Sequence, residues 1–307
     1  MDWVRASAGA SRAVLVRVND QTGPIEHALL AAGVRARVFG ATPFTARGEI
    51  RDALAALTVV ANPRDRLALG RVAAAAGRGV GQAACRALFA HADRQLECTL
   101  LEYGADGAVD GLNPRQAAAL ADLCGPLLGA ARGLDSEPNR VARHVIAVLV
   151  ASGQPARLKR VVGGGARAPK RWRAERQLRN LRALVAHARA YAQRTARPRL
   201  PDFLAQLALA GDERTTVREA VVLTTIHRAK GLEFDHVWIA GAEEGRLPHG
   251  RSGRDDQEDE ERRLAYVVVT RGRTTVHLSW AAGAALGTVN RRDMWSAPRT
   301  RYAVRDR

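Results

Sequence analysis

Apolar and polar residues recur in two rhythms along this chain, and the change of rhythm divides it. Residues 13–18 (AVLVRV) form a short apolar run that predicts a buried strand, and 34–40 (VRARVFG) alternate as a strand does. Between them, 24–32 (PIEHALLAA) predict a helix with Pro at its start and Gly33 at its end. A second helix is expected over 49–61 (EIRDALAALTVVA), stopped by Asn62 and Pro63. Strand, helix, strand, helix at this spacing predicts an α/β unit with a parallel sheet. From about 80 to 214 the pattern is helical and rich in Ala and Leu. It breaks at 161–170 (VVGGGARAPK), which reads as a flexible loop, and resumes as a long helix over 171–192. Leu178, Leu181, Leu184 and Val185 give that helix one apolar face. Strands return at 220–226, 236–242 and 275–281, with a helix over 256–270 whose first turns are acidic. The pattern predicts one α/β domain built from 1–78 and 215–285. A mainly helical insertion, 79–214, interrupts it, and a basic tail, 286–307, follows.

Composition sharpens the picture only in part. At 47% apolar the chain can build a real core, and with 5% aromatic residues that core is mainly Ala, Leu and Val. The net charge of +17 points to a polyanionic partner such as nucleic acid. Lys159, Lys170 and Lys230 are the only lysines among 48 basic residues, so the arginine excess also fits a GC-rich coding bias. Cys85, Cys98 and Cys124 show no metal-binding or disulfide spacing, which suits a reducing, cytoplasmic setting. No run of about 18 apolar residues is present to span a membrane.

The chemistry concentrates in two segments. The first, 224–249, is a strand, a polar turn and a second strand. The turn holds His227, Arg228, Lys230, Gly231 and Glu233, which offer cations for phosphate, a glycine for close approach and a carboxylate for a sugar hydroxyl. A solvated charged loop would read the same way. The second, 260–272 (EERRLAYVVVTRG), is an amphipathic helix ending in Thr270, Arg271 and Gly272, where an arginine also caps favourably.

These segments resemble motifs V and VI of UvrD/Rep-type superfamily 1 DNA helicases. The residues that carry the resemblance are Thr225, His227, Ala229, Lys230, Gly231, Leu232, Glu233 and Phe234, then Glu243, Glu244, Gly245 and Pro248, then Glu260 to Leu264, Tyr266, Thr270 and Arg271. Residues 13–21 (AVLVRVNDQ) resemble motif IV. Residues 37–57 resemble the family segment that follows it, 78–81 (RGVG) the start of the helical 2B insertion, and 200–213 its exit. The resemblance implies a RecA-like motor domain, 2A, interrupted by 2B, in the C-terminal half of an ATP-dependent 3′-to-5′ DNA helicase.

It also implies roles. ATP with Mg2+ would lie between this domain and a P-loop-bearing one. Arg17 and Arg271 would converge on the transferring phosphoryl group as arginine fingers, the logic being a guanidinium placed where charge develops. Gly231, Glu233 and Gln21 would border the nucleotide. Thr225, His227 and Lys230 would touch the single strand, with Phe44 and Arg47 in the loop after motif IV. Gly79 and Gly81 would sit beside duplex at a junction. Between Arg157 and Arg199 there are 14 Lys and Arg against one acid, Glu175, a run that fits either a solvated face or a duplex contact with Trp172 adding stacking.

Three positions depart from the family: Gly23 where a basic residue is frequent, Val268 for Gly, and Gly272 for Ala. No GxxxxGK[ST] motif occurs in the 307 residues. Because that loop supplies most of the phosphate cradle, the chain is expected to hydrolyse ATP negligibly unless a P-loop domain is supplied in cis or in trans. A truncated, split or degenerate gene product would read this way, and so would a non-catalytic DNA-binding remnant.

Overall fold

A computed structural model describes residues 9–76, 80–95, 98–210, 220–243, 245–248 and 255–280. The chain divides into two compact units, Met1–Pro43 with Ala210–Arg307, and Phe44–Leu209.

The first unit is built on a five-stranded parallel sheet. Its strands are β1 (Arg12–Val16), β2 (Ala36–Val38), β3 (Val221–Thr225), β4 (Phe234–Ala240) and β5 (Gly272–Ser279), in the order β2-β3-β1-β4-β5. β1 and β3 are buried at every position, as expected of parallel strands covered on both faces. On one face Val14, Val16, Val221 and Leu223 meet Leu29 of helix α1 (Thr22–Ala31). On the other, Ala13, Leu15, Val222, Val237 and Ile239 meet Val268 and Leu264, which lie on the helix preceding β5. α1 ends on Gly33 at φ +74°, where Gly33 N–H donates to the Leu30 carbonyl and Val34 N–H to that of Leu29. That paired closure needs a left-handed residue, and glycine adopts it without a Cβ penalty. Ser11 and Asp235 lock the amino ends of β1 and β4: the Ser11 amide and hydroxyl donate to Asp235 Oδ2 at 2.8 and 2.7 Å, and the Asp235 amide donates back at 2.8 Å.

The second unit is helical. It comprises α2 (Gly48–Ala61), α3 (Arg66–Ala76), α4 (Gln82–Arg94), α5 (Leu100–Asp106), α6 (Pro114–Ser136), α7 (Val141–Ala151), α8 (Gln154–Gly163), α9 (Ala168–Arg194) and most of α10 (Leu200–Ala210). α2 and α3 fall in this unit, whereas the sequence pattern groups them with the sheet up to residue 78. The reason is packing: α2 lies against α3, α6, α7 and α9. The loop expected over 161–170 is shorter than its glycines suggest. α8 runs to Gly163 and α9 begins at Ala168, with Pro169 in the first turn, where its missing N–H costs nothing. In the first unit α11 (Asp255–Val269) follows β4, and Gly272 starts β5 directly after it. A Cβ on Gly272 would lie 2.5 Å from Val276 Cγ2, so this abrupt helix-to-strand turn selects glycine over alanine. The expected tail, 286–307, lies outside the described residues. No helix among the described residues is long and apolar enough to cross a membrane.

Candidate functional site

The carboxyl edge of the sheet gathers the first group of side chains. Thr225 ends β3 and is 8% exposed, so its hydroxyl is nearly enclosed. After it comes a 3-10 turn, Ile226–Ala229, in which Ile226 and Ala229 are buried while His227 and Arg228 face out, followed by exposed Lys230. The turn thus anchors itself with two apolar residues and presents three cationic or ionisable ones. Arg228, which the motif resemblance leaves without a role, lies across Gly40. A Cβ on Gly40, at φ +83°, would sit 2.4 Å from Arg228 Nε, so glycine there clears the path of the guanidinium. Gln21 closes the neighbouring turn after β1. Its Oε1 accepts the Arg17 and Val18 amides, each at 3.0 Å. Its Nε2 approaches Gly241, at φ +74°, where a Cβ would stand 2.7 Å away. Gln21 therefore splices β1's turn to β4's exit, with its side-chain oxygen already engaged by backbone.

Residues 230–233 carry the chain to the opposite edge. β3 pairs Thr225 with Val16, while β4 begins near the level of Arg12. At about 3.3 Å per residue the two levels are roughly 13 Å apart. At this amino edge Gly231 is exposed at φ +85°, with nothing within 4 Å of a Cβ built on it. Glu233, 52% exposed at its side chain, accepts Arg273 Nε at 3.0 Å. Arg271 leaves the end of α11 and folds back: Nε donates to the Val267 carbonyl at 2.8 Å, Nη2 to Thr270 Oγ1 at 3.0 Å and Nη1 to the Leu232 carbonyl at 3.3 Å. Gly231, Glu233, Arg271 and Arg273 form one polar cluster, exposed except for half-buried Arg271, and Leu232, Tyr266 and Val269 nearby are exposed apolar residues.

Arg17 is not part of that cluster. It follows β1 at the carboxyl edge, and its guanidinium grips Glu261 of α11, with Nη2–Oε1 at 2.5 Å and Nε at 3.1 and 3.2 Å from the two oxygens. Glu261 is 5% exposed at its side chain and Arg17 18%. The anchors of the two guanidiniums, Glu261 and Val267, are six residues apart, or about 9 Å of helix. Arg17 and Arg271 are thus held by different partners, Glu261 on the one hand and the end of α11 with the Leu232 carbonyl on the other. The motif locates Arg17 in the chain but does not reveal the carboxylate that claims it.

Three of the expected residues with described positions, Phe44, Arg47 and Gly81, sit in the helical unit. Phe44 corrects the reading of a DNA-facing aromatic: it is fully buried, edge-on to the His187 ring at 5.0 Å. Arg47 is half-buried and donates to Asn180 Oδ1 at 3.0 Å, while Asn180 Nδ2 donates to Glu49 Oε1 at 2.6 Å. Its guanidinium joins α2 to α9. Gly81 is exposed and opens α4 in an extended conformation. Gly79 and Glu244 lie outside the described residues. The departing Val268 is fully buried in the sheet-facing core, so it packs without loosening α11.

A family model, the UvrD-like helicase C-terminal domain, matches residues 2–105 and 143–283. The chain belongs to this family. Similar relatives include ATP-dependent DNA helicase PcrA of Bacillus subtilis, 32% identical over 280 residues, covering 87% of this chain and 36% of that protein. ATP-dependent DNA helicase UvrD1 of Mycobacterium tuberculosis is 32% identical over 296 residues, covering 88% and 36%. DNA helicase II of Escherichia coli is 32% identical over 280 residues, covering 89% and 37%. The chain thus spans a little over a third of the length of these relatives. The resemblance drawn from motifs V and VI is borne out, and the parallel sheet agrees with the expected α/β class.

Proposed function

We propose that this chain supplies the second motor domain and the helical insertion of an ATP-dependent DNA helicase, with the sheet's two edges divided between its two ligands. The amino edge faces the nucleotide. There Arg271 can swing off the weak acceptors it now holds, two carbonyls and a hydroxyl, toward a transferring phosphoryl group. Glu233 meets the sugar, and Gly231 permits close approach. The carboxyl edge faces single-stranded DNA through Thr225, His227 and Lys230, with Arg228 beside them. The observation that carries this division is the path of 225–233, which crosses from one edge to the other and so couples the two surfaces in nine residues.

Arg17 and Gln21 serve this arrangement from within. They fix the turn after β1 and its link to α11 and do not touch the nucleotide. Among the described residues no three His, Cys, Asp or Glu gather to hold a metal. By the family resemblance, Mg2+ would be held through ATP and the P-loop domain, where it neutralises phosphate charge. The exposed Leu232, Tyr266 and Val269 suit a surface covered by that domain. Without it the chain would bind ATP weakly and turn it over negligibly. The 3′-to-5′ direction of travel follows the family resemblance.

The DNA half of the proposal is tested on the full chain alone. Single-strand binding is expected to weaken as salt rises, and His227→Ala with Lys230→Ala to lower affinity and flatten that dependence by roughly one unit of log–log slope. Affinity unchanged by the pair of substitutions would overturn the assignment of the carboxyl edge.

A further inference from the structure

Within the amino-edge cluster, Arg273 is the residue to which the helicase motifs give no role, and its setting is specific. β4 and β5 pair Phe234 with Gly272 but His236 with Thr275, so β5 spends three steps where β4 spends two. The extra residue makes a bulge, a feature that re-aims a side chain out of the regular ladder. From this bulge Arg273 Nε donates to Glu233 Oε2 at 3.0 Å. Asp235, the next carboxylate along β4, is already held by the amide and hydroxyl of Ser11. Glu233 Oε1 bonds nothing among the described residues, and about half of that side chain is exposed.

We propose that Arg273 is a positioning residue for the nucleotide: it holds one oxygen of Glu233 so that the other accepts a sugar hydroxyl. The proposal rests on the assignment of the amino edge to the nucleotide. A glutamate on a surface samples many rotamers, and a fixed partner removes part of that freedom before the ligand arrives. A carboxylate with one oxygen engaged still has an acceptor to offer, and hydrogen bonds to a charged acceptor are the stronger ones. Arg271 now donates to the Leu232 carbonyl and must release it to meet a phosphoryl group. Arg273, bonded to the next residue along, keeps Glu233 in place when that contact is given up. Both partners are well exposed, Arg273 63% and Glu233 52% at the side chain, and such pairs add little to folding stability. Removing the arginine therefore leaves the fold standing, and the consequence falls on the ligand.

The test combines the full chain with the part of B. subtilis PcrA that it does not match, and measures Kd by calorimetry for ADP, 2′-deoxy-ADP and 3′-deoxy-ADP. ADP keeps the sugar and lacks the phosphoryl group that Arg271 would meet, so the comparison reads the sugar side alone. The unchanged chain is expected to bind ADP about tenfold more tightly than at least one of the deoxy forms, the scale of one hydrogen bond to a charged group. Arg273→Ala should cut that preference to within about twofold, Arg273→Lys should restore most of it, and Glu233→Ala should abolish it. Adding Arg273→Ala to Glu233→Ala should change nothing further, since the arginine acts through the carboxylate. Circular dichroism should be the same for every variant. A preference lost in Glu233→Ala but kept in Arg273→Ala overturns the proposal and leaves Glu233 as a sugar contact. No preference in the unchanged chain, or one that survives Glu233→Ala, overturns the sugar assignment itself. Further weakening from Arg273→Ala on top of Glu233→Ala would make the arginine a direct nucleotide contact and overturn its positioning role.

Discussion

Removing either member of the Arg17–Glu261 pair should cost far more than a surface ion pair, because the carboxylate is nearly enclosed. With 5% of its side chain exposed and three guanidinium contacts between 2.5 and 3.2 Å, Glu261 cannot recover its lost solvation from water if Arg17 is truncated. Breaking one side of a buried pair typically costs about 3–5 kcal/mol, while replacing both by apolar groups of similar volume is often neutral. Arg17 keeps 18% exposure, which admits some water and places Arg17→Ala near about 3 kcal/mol. Glu261→Ala strands the mostly buried guanidinium and should cost a similar amount. The joint change Arg17→Met with Glu261→Leu should return to within about 1 kcal/mol of the unchanged chain. Hydrogen exchange of the β1 amides in increasing urea isolates the sheet unit from the helical one and measures all four corners of the cycle. A coupling energy near zero, or a loss below about 1 kcal/mol for Arg17→Ala, would refute the claim that this arginine is a structural pin.

Three further outcomes follow from the same packing. Phe44→Ala, at a fully buried site, should destabilise the helical unit by about 3–5 kcal/mol and leave single-strand affinity unchanged, as read by calorimetry and anisotropy; weakened binding at full stability would restore it as a DNA contact. Hydrogen bonds from the Ser11 amide and hydroxyl hold the Asp235 carboxyl below its ordinary value. A depressed folded-state value stabilises above the unfolded one, so the loss caused by Ser11→Ala should be present at pH 7 and shrink as pH falls below about 4 in urea titrations; a pH-independent loss would contradict the charge argument. Burial, reinforced by neighbouring Cys85, pushes the Cys124 thiol up to about 12, burial alone raises Cys85, and Cys98 is exposed. Iodoacetamide at pH 8 should therefore modify Cys98 alone in the folded chain, and mass spectrometry finding three modified thiols without denaturant would contradict the fold.

The strand and helix pattern was legible because each rhythm reports which side of an element is covered. All five strands and the helices expected over 24–32, 49–61, 171–192 and 256–270 lie within a few residues of where alternation and periodicity place them. The motif turn was legible too, since its glycine, carboxylate and cations occur at fixed spacing. What pattern could not supply was partners. Phe44 reads as apolar in a loop, but nothing in its neighbourhood reveals His187 of α9. Arg17 reads as a functional arginine, yet its carboxylate lies 244 positions away. Arg273, paired with Glu233 in the candidate nucleotide cluster, had no signal at all, because a basic residue in a strand carries no periodic mark. The start of α9 was hidden by a Gly- and Pro-rich stretch that reads as loop, although Pro169 suits a first helical turn.

The most direct test of the division between edges is the ATP turnover of this chain combined with the part of B. subtilis PcrA that it does not match, comparing Arg271→Ala with the compensated Arg17→Met and Glu261→Leu form. The division of labour requires kcat to fall by about 10³-fold for Arg271→Ala, on the scale of arginine fingers, and to stay within a few-fold for the compensated pair. Full turnover without Arg271, or a loss of that size from the compensated pair, would contradict it.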